Sequence, residues 1–165
     1  METQTHAVVE AMFVEHGRSL VRLASLFVDD RAAAEDLVQE AFIRLSRSLD
    51  RIRDPDRAAA YLRSIVLNLA RDHNRRGLVS LRHRPPALQY QRTAEEDVEL
   101  EDEHRLVVEA LRALPRRQRD VLVLRYYLEL SPPEVAETLG LSVNSVKTHQ
   151  RRGMAAMQDR LGGAS

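Results

Sequence analysis

The chain has 165 residues, 44% hydrophobic and only 4% aromatic, with no cysteine and a formal net charge of zero. The length fits one domain or two small ones; the lack of thiols and the scatter of the six histidines exclude a disulfide framework and lead us to predict neither a metal site nor a cofactor. Because the N-terminal residues lack a basic segment and no uncharged apolar run approaches the roughly 18 residues of a membrane span, we expect a soluble cytoplasmic protein.

Two amphipathic helices are predicted at the N-terminus. The first runs from about Ala7 to Val28 and is expected to bend or break near Gly17. Asp29 and Asp30 are suitable caps for a second helix over residues 31–49. The expected buried residues are Phe13, Leu20, Leu23, Ala24 and Phe27 in the first helix and Leu37, Val38, Ala41, Phe42, Leu45 and Leu49 in the second.

The outward side of the second helix is acidic around one isoleucine. At about 100° per residue, Asp36, Gln39, Glu40 and Ile43 fall on the side opposite the apolar stripe. An isolated exposed apolar residue is normal on a protein surface. A solvated face and a protein-binding patch therefore both remain open as interpretations of Ile43.

A charged loop with Pro55, residues 50–57, leads to a third helix over residues 58–76. Tyr61, Leu62, Ile65, Val66 and Leu69 are expected to be buried, and Arg63, Ser64, Leu67, Arg71, Asn74 and Arg75 to face outward. Cations near a helix C-terminus complement the helix dipole. Three arginines along one side exceed that need, which indicates a nucleic-acid contact.

Residues 77–102 lack a consistent helical period and contain Pro85-Pro86. We predict a linker at residues 79–102 between domains at 1–78 and 103–165, with passive disorder as the simpler interpretation of the segment. The neutral total charge depends on this region, because residues 93–103 hold seven acidic and no basic side chains. Residues 104–165 hold ten basic and six acidic side chains, so the C-terminal part is net basic.

The C-terminal part is predicted to form four helices that end in a helix-turn-helix. One helix begins at Glu103, and the next, PRRQRDVLVLRYYLEL, packs apolar side chains beneath the pair that follows. Ser131 and Glu134 have the spacing of a capping box, and the two prolines between them suit the first turn of a helix. Gly140 supplies the turn, and Ser142 caps the last helix.

The last helix has an apolar side and a side of polar and basic residues. We expect an inward side of Val143, Val146, Gly153, Met154, Met157 and Leu161 and an outward side of Asn144, Ser145, Lys147, Thr148, His149, Arg151 and Arg152. The outward set suits base edges and phosphates. The alternative is an ordinary helical hairpin with a solvated face, but no acidic residue occurs from Asn144 to Arg152. Gln150 does not fit this division, because it is polar but lies near the inward side, where we expect it at the edge.

Three stretches together resemble the second and fourth conserved regions of extracytoplasmic-function (ECF) sigma factors. They are AEDLVQEAFIRL (34–45), AYLRSIVLNLARDHNRR (60–76) and LRALPRRQRDVLVLRYYLELSPPEVAETLGLSVNSVKTHQRR (111–152). They follow the family's order and separation and cover nearly the whole chain. The resemblance implies two all-helical domains on a flexible linker and a non-enzymatic activity: binding core RNA polymerase, reading a −35-type element with the C-terminal domain and melting a −10-type element with the N-terminal one.

The resemblance also implies functions for particular residues. It places polymerase binding on Asp36, Gln39, Glu40 and Ile43, and −35 recognition on the outward side of the last helix. It places −10 recognition near the loop 50–57, on Arg63, Asn68, Arg71, Asn74 and Arg75. Tyr61 stands where members often carry tryptophan, and His149 stands where arginine is frequent.

The partners implied are core RNA polymerase, promoter DNA and an anti-sigma factor, because members are commonly inhibited by a protein that covers their polymerase-binding surfaces. The acidic linker would also suppress binding to free DNA, which depends on counterion release. The main competing hypothesis is a stand-alone regulator that binds operators without polymerase, followed by an adaptor that binds only proteins. An enzyme is disfavoured because no nucleophile, base and orienting group cluster in any motif.

Overall fold

The computed structural model describes residues 2–80 and 97–163, with the side chains of all these residues except 75–80 and 97–101. Within these ranges the chain is helical and contains no strand, so the predicted all-α class with two helical domains is confirmed. The helices are α1 (Glu2–Ser25), α2 (Arg31–Ser48), α3 (Pro55–Ser80), α4 (Asp97–Ala113), α5 (Arg116–Leu122), a π-helical turn (Val123–Tyr127), α6 (Pro132–Leu139) and α7 (Val143–Gly162). None of the helices described is long and apolar enough to cross a membrane.

The described residues group into two compact units. Among the described residues, the first comprises 2–80 with 136–141, and the second comprises 97–135 with 142–163. Helix α3 continues to Ser80 and α4 begins at Asp97, so helical structure extends into both ends of the segment predicted as a linker. The predicted domain boundaries at residues 78 and 103 remain predictions.

Helices α1, α2 and α3 pack against one another in the first unit. Their largest fully buried side chains are Leu20, Leu23, Val38, Leu45, Leu62 and Val66. Asp30 caps α2 as predicted, because its side chain accepts the Ala32 N–H at 3.0 Å. Helix α3 starts three residues earlier than predicted, at Pro55, since Asp54 accepts the Asp56 N–H at 3.0 Å and the first helical position needs no N–H from proline.

Several predictions for the first unit are wrong. Helix α1 is not broken near Gly17, because it continues to Ser25, while a bend at that point stays a prediction. Phe13 is 52% exposed, and Met12 takes the inward position instead. Leu67 is buried rather than outward, because α3 packs on both α1 and α2 and therefore needs a wider apolar arc than a single stripe.

In the second unit, α7 packs closely against α5. Ala110, Leu114, Leu122 and Met157 form a buried cluster there. The helices approach at Gly153, where an added Cβ atom would lie 3.0 Å from Leu122 Cδ1. Met154 was predicted to face inward but is 37% exposed, while Val143 and Leu161 are half-buried. The closest approach therefore falls on the glycine side of the helix, and Met154, about 100° further round, lies at its edge.

The segment predicted as one helix over residues 115–130 is α-helical only in its first half. The α-helix ends at Leu122 and a π-helical turn follows, in which the Leu128 N–H donates to the Val123 carbonyl at 3.2 Å. Glu129 then adopts a left-handed conformation with φ of 57°, and the Leu130 N–H reaches the Leu124 carbonyl at 3.0 Å. This turn directs the chain into α6.

Candidate protein and nucleic-acid interfaces

The outward side of α2 presents the four residues predicted to bind polymerase. Asp36 and Gln39 are exposed, Glu40 is half-buried, and Ile43 is 45% exposed. Glu40 pairs with Arg44, four residues later, at 3.1 Å. Exposed pairs of this kind contribute at most about 1 kcal/mol, so this side of α2 is available for a partner without loss of the core.

An open groove of about 540 Å³ runs beside Ile43 between α1 and α2. Its lining is mixed: Val9, Phe42 and Ile43 are apolar, and the other lining residues, which include Thr5 and Ser46, are polar or charged. Phe13 packs edge-on against Phe42, with ring centroids 5.2 Å apart and planes at 62°. The sequence pattern missed this part of the surface because it assigned Phe13 to the core.

Helix α3 brings together most of the residues predicted for −10 recognition. At about 100° per residue Arg63, Asn68, Arg71 and Asn74 fall within an arc of roughly 140°. Asn68 is exposed and the other three are half-buried, and Arg71 Nη1 donates to Asn68 Oδ1 at 3.2 Å. The side chain of Arg75 lies outside the described residues.

The predicted helix-turn-helix is present with the predicted caps. The Glu134 N–H donates to Ser131 Oγ at 3.3 Å and Glu134 Oε1 accepts the Ser131 N–H at 3.1 Å, which completes the capping box. Gly140 has φ of 67°, the left-handed conformation that ends α6. Ser142 Oγ accepts the Ser145 N–H at 3.1 Å and caps α7.

The outward side of α7 divides into exposed and half-buried side chains. Asn144, Lys147, Arg151 and Arg152 are exposed, while Ser145, Thr148 and His149 are half-buried. Ser145 Oγ accepts from Ser142 Oγ at 2.9 Å, and Thr148 Oγ1 donates to the Asn144 carbonyl at 3.1 Å. All seven predicted residues therefore lie together on one helix, and four of them are exposed.

The sequence pattern missed two residues, Arg125 and Tyr126, whose side chains bond to Gln150 of α7. Gln150 Oε1 accepts from Arg125 Nε at 3.3 Å, and Gln150 Nε2 donates to Tyr126 Oη at 2.9 Å. Arg125 also donates from Nη1 to the Leu130 carbonyl at 2.7 Å. The only sequence signal was that Gln150 is a polar residue near the inward side of α7.

A second surface that the pattern missed is an apolar groove in the second unit. It has a volume of about 720 Å³ and is lined by side chains of α4, the π-helical turn and α7. Val107, Tyr126 and Met154 are exposed there at 39%, 52% and 37%.

Comparison with protein families gives two matches that follow each other in chain order. The family model described as "Sigma-70 region 2" matches residues 12–77, and that described as "Sigma-70, region 4" matches residues 104–157. The RNA polymerase sigma-E factor of Streptomyces avermitilis is 31% identical over 143 residues, which cover 87% of this chain and 79% of that protein. The chain belongs to the ECF family of RNA polymerase sigma factors.

Other sigma factors match over nearly the full length. The RNA polymerase sigma factor SigV of Bacillus subtilis is 26% identical over 157 residues, covering 95% of this chain and 93% of the relative. The structure of CnrH in complex with the cytosolic domain of CnrY has a TM-score of 0.73 at 26% identity and covers 99% of this chain and 98% of that one. RpoE of Bartonella quintana, solved with the anti-sigma factor NepR, shares the fold, with a TM-score of 0.67 at 20% identity and coverage of 93% and 96%.

Proposed function

We propose that this chain is an alternative sigma factor that joins core RNA polymerase in the cytoplasm, directs it to its own promoters and performs no catalysis itself. The observation that supports this proposal most strongly is that the region 2 and region 4 models match separate parts of one chain, in order. A stand-alone operator-binding regulator has no use for the first of these parts. The alternative of a regulator that acts without polymerase is therefore not favoured.

Polymerase binding is assigned to the outward side of α2. Asp36, Gln39 and Glu40 surround Ile43, which is 45% exposed beside the groove between α1 and α2. An apolar side chain within a ring of carboxylates and amides suits a partner surface with basic residues around an apolar depression. The same surface suits an anti-sigma factor, which we propose as a second partner that competes with polymerase for Ile43.

Recognition of the −10 element is assigned to α3 and the loop 50–57. Arg63, Asn68, Arg71 and Asn74 provide guanidinium and amide groups on one side of α3, with Arg75 as the fifth member of the set. Strand separation exposes bases and phosphates together, and such groups bind both. The bond from Arg71 to Asn68 holds two of these side chains in a defined orientation before DNA arrives.

Recognition of the −35 element is assigned to α7. Asn144, Ser145, Thr148 and His149 lie near the N-terminal end of the outward side, where a recognition helix enters the major groove. Lys147, Arg151 and Arg152 have the charge and reach for phosphates. Arg151 is exposed and lies on the same side as Asn144, so both a base contact and a phosphate contact are open to it.

Reconstitution with core RNA polymerase on a library of promoter fragments tests the proposal. We expect core polymerase alone to be inactive on the library and the reconstituted enzyme to initiate from a subset that shares an upstream and a −10-type element. The matched control is the chain alone on the same fragments. Sequence-specific binding by the chain without polymerase, together with no initiation by the mixture, would favour the operator-binding regulator.

A further inference from the structure

The amide of Gln150 is held at both ends by the segment that precedes the helix-turn-helix. Its oxygen accepts from Arg125 Nε at 3.3 Å and its nitrogen donates to Tyr126 Oη at 2.9 Å. We propose that Arg125, Tyr126 and Gln150, here named the Gln150 link, are positioning residues that set the rotation of α7 and thereby its choice of upstream element. The proposal rests on the function of α7 in −35 recognition proposed above.

Gln150 is well placed to control the DNA-facing residues. It lies eight residues after the Ser142 cap, which is about 12 Å along the helix axis. At about 100° per residue its side chain points roughly 60° from Lys147 and 100° from Arg151. A fixed direction for Gln150 therefore fixes the direction of the exposed side of α7.

The closest apolar contact of α7 does not supply this rotation. At Gly153, one turn after Gln150, the missing side chain lets α7 approach Leu122 and Gln118 closely. Gly153 sets the distance between α7 and α5 but offers no side chain that resists rolling, and the buried Val146 and Met157 on the same side make apolar contacts that lack the directionality of a hydrogen bond. The Gln150 link supplies a directional contact one turn before Gly153.

The link also joins α7 to the start of the helix-turn-helix. Arg125 donates from Nη1 to the carbonyl of Leu130, the residue immediately before the Ser131 capping box, at 2.7 Å. Arg125 and Tyr126 both belong to the π-helical turn, and such turns are frequent at functional sites. The Arg125 guanidinium group thus contacts both Leu130, just before the motif, and α7, the second helix of the motif.

The link is suited to positioning more than to overall stability. Tyr126 is 52% exposed, and Arg125 and Gln150 are half-buried, so each lost hydrogen bond is partly replaced by water. A rotation of 10° moves a group on the helix surface, about 6 Å from the axis, by about 1 Å. That displacement exceeds the range of good hydrogen-bond lengths, so base contacts are affected before folding is.

The test uses the full chain reconstituted with core RNA polymerase on an upstream-element library. Gln150→Met removes the amide at similar length, and Tyr126→Phe removes only the hydroxyl. We expect each to lower use of the preferred element by about threefold to tenfold relative to other elements, the factor that one or two hydrogen bonds represent. Thermal unfolding and affinity for core polymerase should remain at wild-type values.

Two control variants and one double variant complete the design. Gln158→Met makes the same change two turns further along α7, and Tyr127→Phe removes the neighbouring hydroxyl; both should keep the wild-type preference. Because the residues act through one link, Gln150→Met combined with Tyr126→Phe should cost little more than Gln150→Met alone.

Three outcomes would overturn the proposal. An unchanged preference in both single variants would show that the link does not position α7, and a lower melting temperature with an unchanged preference would show a structural role only. A uniform loss on all elements with a smaller salt dependence would indicate direct phosphate contacts instead. A wild-type chain that does not direct initiation would instead refute the proposed function and this inference with it, a result distinct from the three above.

Discussion

Helices α2 and α7 are both amphipathic, but the charges on their outward sides differ in sign. Each buries one side, starts at a side-chain cap and exposes a row of polar residues. The row on α2 contains Asp36 and Glu40 around Ile43, whereas α7 carries no acidic residue from Asn144 to Arg152. Under the function proposed above, the amphipathic frame determines where each helix packs, and the charge of the exposed side separates the surface assigned to a protein partner from the surface assigned to DNA.

The buried sides differ as well. Val38 and Leu45 of α2 are 1% and 0% exposed, and bulky side chains of this kind interlock with the neighbouring helices. Helix α7 also buries bulky side chains, Val146 at 0% and Met157 at 8% exposure, but it adds Gly153 against Leu122 and the Gln150 link beside it. The orientation of α2 thus depends on apolar packing, whereas that of α7 depends partly on hydrogen bonds between half-exposed groups.

The largest expected effect comes from reversing the charge of the α2 side. Asp36→Arg combined with Glu40→Arg should weaken binding to core polymerase at least about 100-fold, because like charges at an interface cost several kcal/mol. Helical content should not change, since Asp36 is exposed and Glu40 only half-buried. Titration of labelled core polymerase measures the first quantity and circular dichroism the second.

The matched control makes the same charge change on α1, with Glu10→Arg and Glu15→Arg. Both residues are exposed, so the net charge of the two variants is equal and only the position differs. Equal losses of affinity would mean that total charge, rather than the outward side of α2, controls binding.

The second prediction divides the exposed side of α7 into two kinds of contact. Thr148→Ala or His149→Ala should change which upstream elements are used, with about 1–3 kcal/mol lost for a good base contact. Arg152→Ala should weaken all elements alike and lower the salt slope by about one. Binding of the holoenzyme to an upstream-element library at several salt concentrations separates the two effects.

The opposite pattern would place α7 differently on DNA. If Arg152→Ala shifts the preferred element without a change in salt dependence, while Thr148→Ala and His149→Ala alter neither preference nor affinity, the helix does not enter the groove as proposed. Asn144→Ala is a useful comparison, because the Thr148 hydroxyl donates to the Asn144 carbonyl and not to its side chain. That bond therefore survives the change.

The features predicted correctly from the sequence are those whose cause is local. Asp30 and Ser142 accept N–H groups of their own helices, and Gly140 adopts the conformation that its turn requires. Such contacts lie within four residues of the chain, so a short pattern contains all the partners. The resemblance to ECF sigma factors also came from the sequence alone, from three stretches in the family's order.

The features that were missed depend on distant neighbours. Phe13 and Met12 are adjacent and both apolar, and only the placement of α2 decides which of them is buried. Met154 is exposed because the closest approach to α5 occurs at Gly153. The partners of Gln150 lie 24 and 25 residues away, and the π-helical turn that presents them has no local sequence signal.

The third prediction tests the close packing of α7. Gly153→Ala places a Cβ atom 3.0 Å from Leu122 Cδ1, and Leu122 is only 4% exposed within a buried cluster and cannot move aside freely. Overpacking costs about 1–3 kcal/mol, and the better helix propensity of alanine returns at most about 1 kcal/mol. We expect a net loss of about 1–2 kcal/mol, measured by urea unfolding.

Gly162→Ala is the internal control, because it lies on the same helix with nothing within 4 Å of the added atom. It should leave stability unchanged or raise it by up to about 1 kcal/mol. A Gly153→Ala variant as stable as Gly162→Ala would mean that α5 and α7 separate without cost. In that case the contrast with the interlocked side of α2 would not hold.

The smallest expected effect distinguishes the two caps. Asp30→Ala and Ser142→Ala should each destabilise their own helix by about 1 kcal/mol, since each leaves a helical N–H without its acceptor. The functional results should differ, because Ser142 Oγ also bonds to the Ser145 hydroxyl at 2.9 Å and thus holds a residue of the side that we assign to DNA. Ser142→Ala should therefore alter upstream-element preference, whereas Asp30→Ala should alter stability alone.

Hydrogen exchange of the α2 and α7 amides localises each loss of stability. Asp30→Asn and Ser142→Thr, which keep an acceptor, should recover most of that loss. A change of element preference in Asp30→Ala would show that the two helices are not as independent in function as their surfaces indicate.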